Sequence, residues 1–568
     1  MKNLKFNLKF IINIIIFISF FSTIEAKNSK KFNEAEDISN YFSGIVSINE
    51  NEYKKSYNFL KPLSGLEDNH YIYSRFFQYS LVTLNKFSDA ISYSKRLENK
   101  KIDNFESNLI SALYHLKFQR YEKAERYFKK LEAKTQKGTV HHLISNSLNN
   151  WLKLTSIKNL EDSIKLLEET PERFTNIKNI QKTFLHCYFD SPKTDQTFNE
   201  LTANSDVDYS RYFFFHANYF VTKNNYKKAS KVLENSLNLF PRNLILNQLK
   251  SDLESKKNFT NQFDCKNPSH IIAEIFYITA SSLSSQGKLA SSNFYLSLAK
   301  YLNPNFVSFD TLQAENFYNI EKYKTAENIY RKIQNKGSVY NWYSTKRIAS
   351  ILIEQDRKQD SVRFMNSKFN EIKEPSIYEI FDYAVFLKNN EKYKDAIKHY
   401  SIVLKNIDKD HFLYAKTTDG RGVSFERTKQ WNKAEKDLLN SLSIEPESAY
   451  VINYLAYSWI EQGKNIEKAL DMLKKANKIK PNNGYITDSL GWALFKLENY
   501  EESKKYLEMA VRLMPYDPVV SDHYADVLWM NNKPLQARYI WNHVLNFKET
   551  EKKLKKKVER KLLFGLKI

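Results

Sequence analysis

The chain has 568 residues and a formal charge of +22, with 42% apolar and 15% aromatic side chains but only 11 Gly and 12 Pro. That length exceeds one compact core unless the fold is elongated or divided, the composition excludes disorder, and turn residues are too scarce for a β-rich chain, which leaves an all-α fold. The charge alone would suit an acidic partner, but Lys alternates with Glu along stretches such as RYEKAERYFKKLE, no Arg-rich cluster occurs, and nucleic acid is not expected as a partner.

The first element is a targeting segment. Residues 1–26 run from the basic MKNLKFNLKF through the apolar IINIIIFISFFSTI to a small residue, Ala26. This is the three-part layout of a secretory signal peptide, or of an uncleaved N-terminal anchor. In either case Lys2, Lys5 and Lys9 stay cytoplasmic and the body is sent outward. Expected localisation is therefore exported, periplasmic or facing the periplasm. Cys187 and Cys265 are the two cysteines, free to pair in an oxidising compartment or to remain buried thiols.

From residue 41 onward the chain repeats itself. Small residues stand twelve apart in Gly44/Ser56 and Ala112/Ala124, Gln78 with Ala90 falls in the same register, and the step between units is 34 residues. Residues 140–205 are helical but degenerate, with Trp151 in the small position. Ala217/Ala229 and Ala280/Ser292 resume the pattern. Between them the polar stretch 251–269 is expected to be a joint separating an N-terminal solenoid (41–250) from a C-terminal one (270–547). Beyond it the first small residues are Ala314, Ala349, Ala384, Gly422, Ala456, Gly491 and Ala525, and Pro446, Pro481 and Pro515 close successive units.

This register resembles the tetratricopeptide repeat, a helix–turn–helix unit in which two small residues let paired helices approach. The resemblance implies a superhelical solenoid of twelve to fourteen antiparallel helix pairs, with the first helix of each pair lining a concave groove. Gly491, inside a helix pattern, is then explained by close packing that offsets its poor propensity.

In that register the groove positions lie six before, three before, one after and four after the first small residue. They select Tyr450, Asn453 and Tyr457; Tyr485, Asp488, Trp492 and Phe495; and Asp522, Asp526 and Trp529. Tyr and Trp give large contact area at low entropic cost. Asn453 can pair with both polar groups of an extended backbone. The three Asp would make one end of the groove negative, so the expected ligand is a protein or peptide partner carrying a basic segment. The competing expectation is that these rings pack against the next repeat. The tail 548–568 places Leu554, Val558, Leu562 and Leu566 on one stripe of a basic helix. Such a helix caps the array, folds back into the groove, or adsorbs to an anionic membrane.

The pieces NYLAYSW, GYITDSLGW, MPYDPVVSDHYADVLW and ARYIWNHVL, between about residues 450 and 545, resemble a group of exported tetratricopeptide proteins of proteobacteria. The resemblance implies a non-catalytic interaction scaffold or adaptor of the cell envelope. The alternative is a membrane-associated structural scaffold, held by the N-terminal helix or the basic tail, with its groove self-occupied. No phosphate-binding Gly-rich loop, nucleophile elbow or zinc-binding His pair occurs, so neither catalysis, a metal nor a cofactor is expected.

Overall fold

The computed structural model describes residues 34–133, 135–136, 139–154, 159–168, 170–203, 208–255 and 259–566; the targeting segment 1–26 lies outside them. Among the described residues there are thirty α-helices and no strands. Twenty-eight of them form fourteen successive pairs, while Leu244–Ser255 and Lys552–Phe564 stand outside the pairing. The all-α solenoid of antiparallel helix pairs is the observed architecture.

A backbone signature accompanies the small residues. Wherever the turn inside a pair is among the described residues, it carries a residue in the left-handed region seven positions after the first small residue, as at Asn51, Asn85, Asn224, Asp356, Glu498 and Asn532. Asp190 obeys the same rule and identifies Thr175–Tyr188 and Thr194–Thr202 as a further pair inside the degenerate stretch, with Thr183 in the small position. Three second helices of the second unit stop immediately before an extended residue that precedes proline, with Glu445 at ψ 75°, Lys480 at 75° and Met514 at 66°. Proline's ring excludes helical geometry from the residue before it, which sets the boundary.

The chain divides into two compact units at Ile351/Leu352, inside the helix Ser338–Glu354. The segment 251–269 is therefore not the joint expected from its polarity. It lies within the first unit, where Asn261, Phe263 and Cys265 are buried. Asn218 Nδ2 donates to the Phe263 carbonyl at 2.7 Å, and Asn261 Oδ1 accepts from the Val307 amide at 2.9 Å. A disulfide joins Cys187 to Cys265. A polar loop held by its own backbone hydrogen bonds costs little to bury, and hydropathy alone does not reveal that.

The first unit closes on itself. Its N-terminal repeats pack around the helix pair Pro268–Ser285 and Leu289–Leu302. Tyr79 stacks on Phe294 and Phe87 on Tyr301, each at 4.2 Å, and Asn293 Nδ2 donates to the Tyr53 hydroxyl at 3.1 Å. Consequently Ser292 to Ala299 are buried without interruption, where an ordinary surface helix would expose one face. The second unit shows the close packing that the small residues require. A methyl on Gly491 would sit 2.6 Å from Leu507 Cγ and 3.1 Å from the Leu507 backbone nitrogen. Ser503 uses the same proximity, donating to the Gly491 carbonyl at 2.7 Å.

Candidate functional site

The ten groove positions lie in three repeats of the second unit, on the helices Ala449–Glu461, Gly484–Lys496 and Pro518–Met530. They fall into two environments. Tyr450 and Tyr485 stand open, 56% and 60% exposed. Lys480 places its ammonium 4.4 Å from the Tyr450 ring. Asn453 is half-buried and its Oδ1 accepts no hydrogen bond. Tyr457 and Phe495 are half-buried against the core of Leu455, Trp459, Leu490 and Leu494. Burial, with Glu461 and Asp488 nearby, drives the Tyr457 hydroxyl well above the ordinary phenol range.

The remaining five are corrections to the expected groove. Trp492 is buried, stacked on Phe495 at 4.7 Å and on His523 at 3.9 Å, and its indole N–H donates to Glu461 at 2.7 Å. The −3 carboxylate of its repeat, Asp488, is buried too and bonds His523 Nδ1 at 3.0 Å. Burial opposes charge on that imidazole, but Asp488, helped by Asp522 and Asp526, outweighs it and raises the His523 pKa.

Asp522 and Asp526 are buried and both are met by Lys561 of the helix Lys552–Phe564, whose Nζ donates at 2.6 Å to each. Trp541 adds an N–H to Asp526 at 3.1 Å, and Lys557 lies 3.5 Å from Asp522. Burial and the neighbouring Asp522 raise the Asp526 pKa against the pull of Lys561. Trp529 is covered by the chain's end. Gly565, at φ +72°, brings its backbone so close that a methyl there would be 2.2 Å from the ring, and Arg538 stacks on the indole at 4.9 Å. A basic segment does fill the negative end of the groove, and it is the protein's own tail. Leu554, Val558, Leu562 and Leu566 pack on Ala525, Leu528, Ala537 and Trp541, so the stripe serves as the cap. The helix takes the place of the first helix of one more repeat.

Three features escaped the sequence. His523 falls outside the four groove positions of its repeat, although the period of 35 residues that separates it from Asp488 aligns the two. Asp419, at the −3 position of the Gly422 repeat, is half-buried with its pKa raised chiefly by burial, against Lys388. The first unit holds a cavity of about 760 Å³ beside the unpaired helix Leu244–Ser255, lined by Tyr209, Arg211, Asn243, Tyr277 and Tyr340. Its charges cancel internally, since Arg211 makes two 2.7 Å bonds to buried Glu274. Among the described residues no three His, Cys, Asp or Glu side chains are grouped to hold a metal, and no helix is long and apolar enough to cross a membrane.

The tetratricopeptide-repeat family profile matches residues 489–517, the span from helix Gly484–Lys496 through the turn after Leu513. Those residues form a tetratricopeptide repeat. A TPR repeat-containing protein of Pseudomonas aeruginosa is 25% identical over 181 residues, which is 32% of this chain and 30% of that relative, so the match spans under a third of the relative's length. Among solved structures, the TPR protein TTC0263 of Thermus thermophilus aligns with 33% of this chain and all of its own at 16% identity and a TM-score of 0.29. The Cut9–Hcn1 hetero-tetramer of the APC/C aligns with 93% of this chain and 97% of its own at 12% identity and 0.37. The repeat family is one of protein–protein interaction scaffolds, typically without catalysis of their own.

Proposed function

We propose that the protein is an adaptor of the bacterial cell envelope that holds a partner segment against the concave face of its second unit. The observation that carries this is the open pair Tyr450 and Tyr485, one repeat apart, with the unsatisfied Asn453 carbonyl between them in sequence. Two exposed tyrosines at equivalent positions offer hot-spot contact, and Asn453 offers an acceptor for a partner's backbone N–H. Asp419 stands half-buried at the −3 position of the Gly422 repeat, in the same register upstream. An exported location is supported by the N-terminal layout and by the Cys187–Cys265 disulfide, which suits an oxidising compartment.

A second reading, a structural scaffold associated with the membrane, is favoured by how much of the groove the chain fills itself. The tail occupies the Ala525 repeat, and the N-terminal repeats enclose the pair Pro268–Leu302. The test is capture from an envelope extract with full-length wild type and a Tyr450→Ala/Tyr485→Ala variant. These exposed positions should change stability by no more than about 0.5 kcal/mol. A protein retained by the wild type and lost by the equally folded variant supports the adaptor. Identical captures with both exclude this face and leave the scaffold. An N-terminal sequence starting at Lys27 would establish export with cleavage.

A further inference from the structure

The tail helix spends one face on the cap and leaves the other to solvent. At 100° per residue, Lys552, Lys553, Lys556, Arg560, Leu563 and Phe564 lie on one continuous arc opposite Val558 and Lys561. All six are exposed, Leu563 at 72% and Phe564 at 67%. Two large apolar side chains therefore stand in water at the C-terminal end of a helix with seven cations and one acid, Glu559. Of the cations, Lys561 and Lys557 are committed to Asp522 and Asp526, and Lys552, Lys553, Lys556 and Arg560 are exposed.

The neighbouring helix Pro534–Asn546 carries a second exposed apolar pair. Arg538 Nε donates to the Leu562 carbonyl at 3.3 Å, fixing this helix beside the tail's end. Leu535 and Tyr539 flank it in sequence, 82% and 65% exposed. They stand two before and two after the second small residue, Ala537. In the preceding repeats those two positions carry Lys394 and Lys398, Asn432 and Lys436, Glu467 and Asp471, and Glu501 and Lys505. Only the last repeat of the second unit replaces polar side chains there by a leucine and a tyrosine. Scattered surface leucines need no explanation, but apolar tips set among cations at one end of a structure do.

We infer that this end face docks on an anionic lipid surface, with Lys552, Lys553, Lys556 and Arg560 over the headgroups and Leu563, Phe564, Leu535 and Tyr539 entering the interface. Positive charge with exposed apolar tips is the chemistry of interfacial adsorption. A second copy of this chain would bring the same cations into opposition, and charge complementarity argues against it. The dock differs from an amphipathic anchor in one respect: the stripe of Leu554, Val558 and Leu562 stays in the cap, so binding needs no unfolding. The inference holds whether or not the concave face takes a partner.

The test is co-sedimentation of the full-length protein with vesicles of phosphatidylcholine alone and of phosphatidylcholine with phosphatidylglycerol. Wild type is compared with Lys553→Glu/Lys556→Glu/Arg560→Glu and with Leu563→Ser/Phe564→Ser, all carrying the same N-terminus. Since the substituted side chains are exposed, melting and helicity should be unchanged. Binding to the anionic vesicles should fall roughly a hundredfold with the charge reversals, fall with the serine pair, and weaken with salt. Wild type binding both vesicles equally, or all three proteins binding alike, would overturn the inference. So would retention on an immobilised acidic peptide without vesicle binding, which would assign the patch to a protein.

Discussion

Lys561→Met is the most direct probe of the closed groove end. It keeps the length of the side chain and removes the charge that joins Asp522 to Asp526. The side chains of Asp522, Lys561 and Asp526 are only 1%, 5% and 2% exposed, so water cannot replace the ammonium. Deleting one member of a buried ion pair leaves uncompensated charge and costs about 3–5 kcal/mol. Here two carboxylates are left facing each other, which puts the cost at the upper part of that range. Because the tail packs on the last repeat of the array, the loss should appear as local opening rather than as a change in overall melting. Amide exchange across the helix Lys552–Phe564 should accelerate by about a hundredfold or more, while Gly484–Lys496 changes little. Adding Asp522→Asn and Asp526→Asn should restore most of the protection, since neutral side chains demand no counter-ion. Unchanged exchange in Lys561→Met would refute the view that charge holds the tail in the groove.

Further outcomes follow from named contacts. The His523 pKa is raised in the folded state, so its stabilising contribution is complete below the unfolded value of about 6.5 and is lost as pH rises through the folded value; titrating urea midpoints should show this, and His523→Gln should flatten that slope. Raised Asp526 acts in the same direction at lower pH, since a folded state that binds its proton more tightly loses stability as pH rises. Cys187→Ser/Cys265→Ser opens a loop of 78 residues, worth about 4–5 kcal/mol in the chain-entropy account; the thermal transition of the first unit should drop, and two free thiols titrated in the non-reduced, denatured wild type would contradict the pairing. Gly491→Ala should destabilise by about 1–3 kcal/mol despite its better helix propensity, because Leu507 must move; a neutral or stabilising result by urea unfolding would show that the helices can part without cost.

What the sequence revealed was whatever repeats. Small residues and closing prolines recur because every helix pair meets the same steric demand, so Ala456, Gly491 and Ala525 announced the fold and its register. The groove positions were correctly aligned along first helices, yet half of them are not open. That part depends on partners far away in sequence. Asp522 reads as an exposed acid until Lys561, 39 residues on, is placed upon it, and Trp492 reads as a hot spot until His523 covers it. The 251–269 segment misled for a related reason. Its polar residues are satisfied by the Val307 amide and Tyr340, beyond any local window. The continuous burial of Ser292 to Ala299 was in plain view as SNFYLSLA, but a period of 34 residues carries no information about which groove encloses it.

The self-closure of the first unit governs the order in which the chain can mature. In an open array each repeat is complete once its neighbour exists, and assembly proceeds stepwise from either end. Here Tyr53 waits for Asn293 and Tyr79 for Phe294, more than two hundred residues later. A chain emerging from its N-terminus therefore carries several helix pairs whose inner apolar surface stays uncovered until about residue 302 has been made. Contacts of such separation slow folding and lengthen the exposure of unfinished intermediates to proteases and to self-association. Pulse-labelled nascent chains truncated before residue 268 should accordingly be protease-sensitive along their whole length, and chains extended past 302 should gain resistance in a single step.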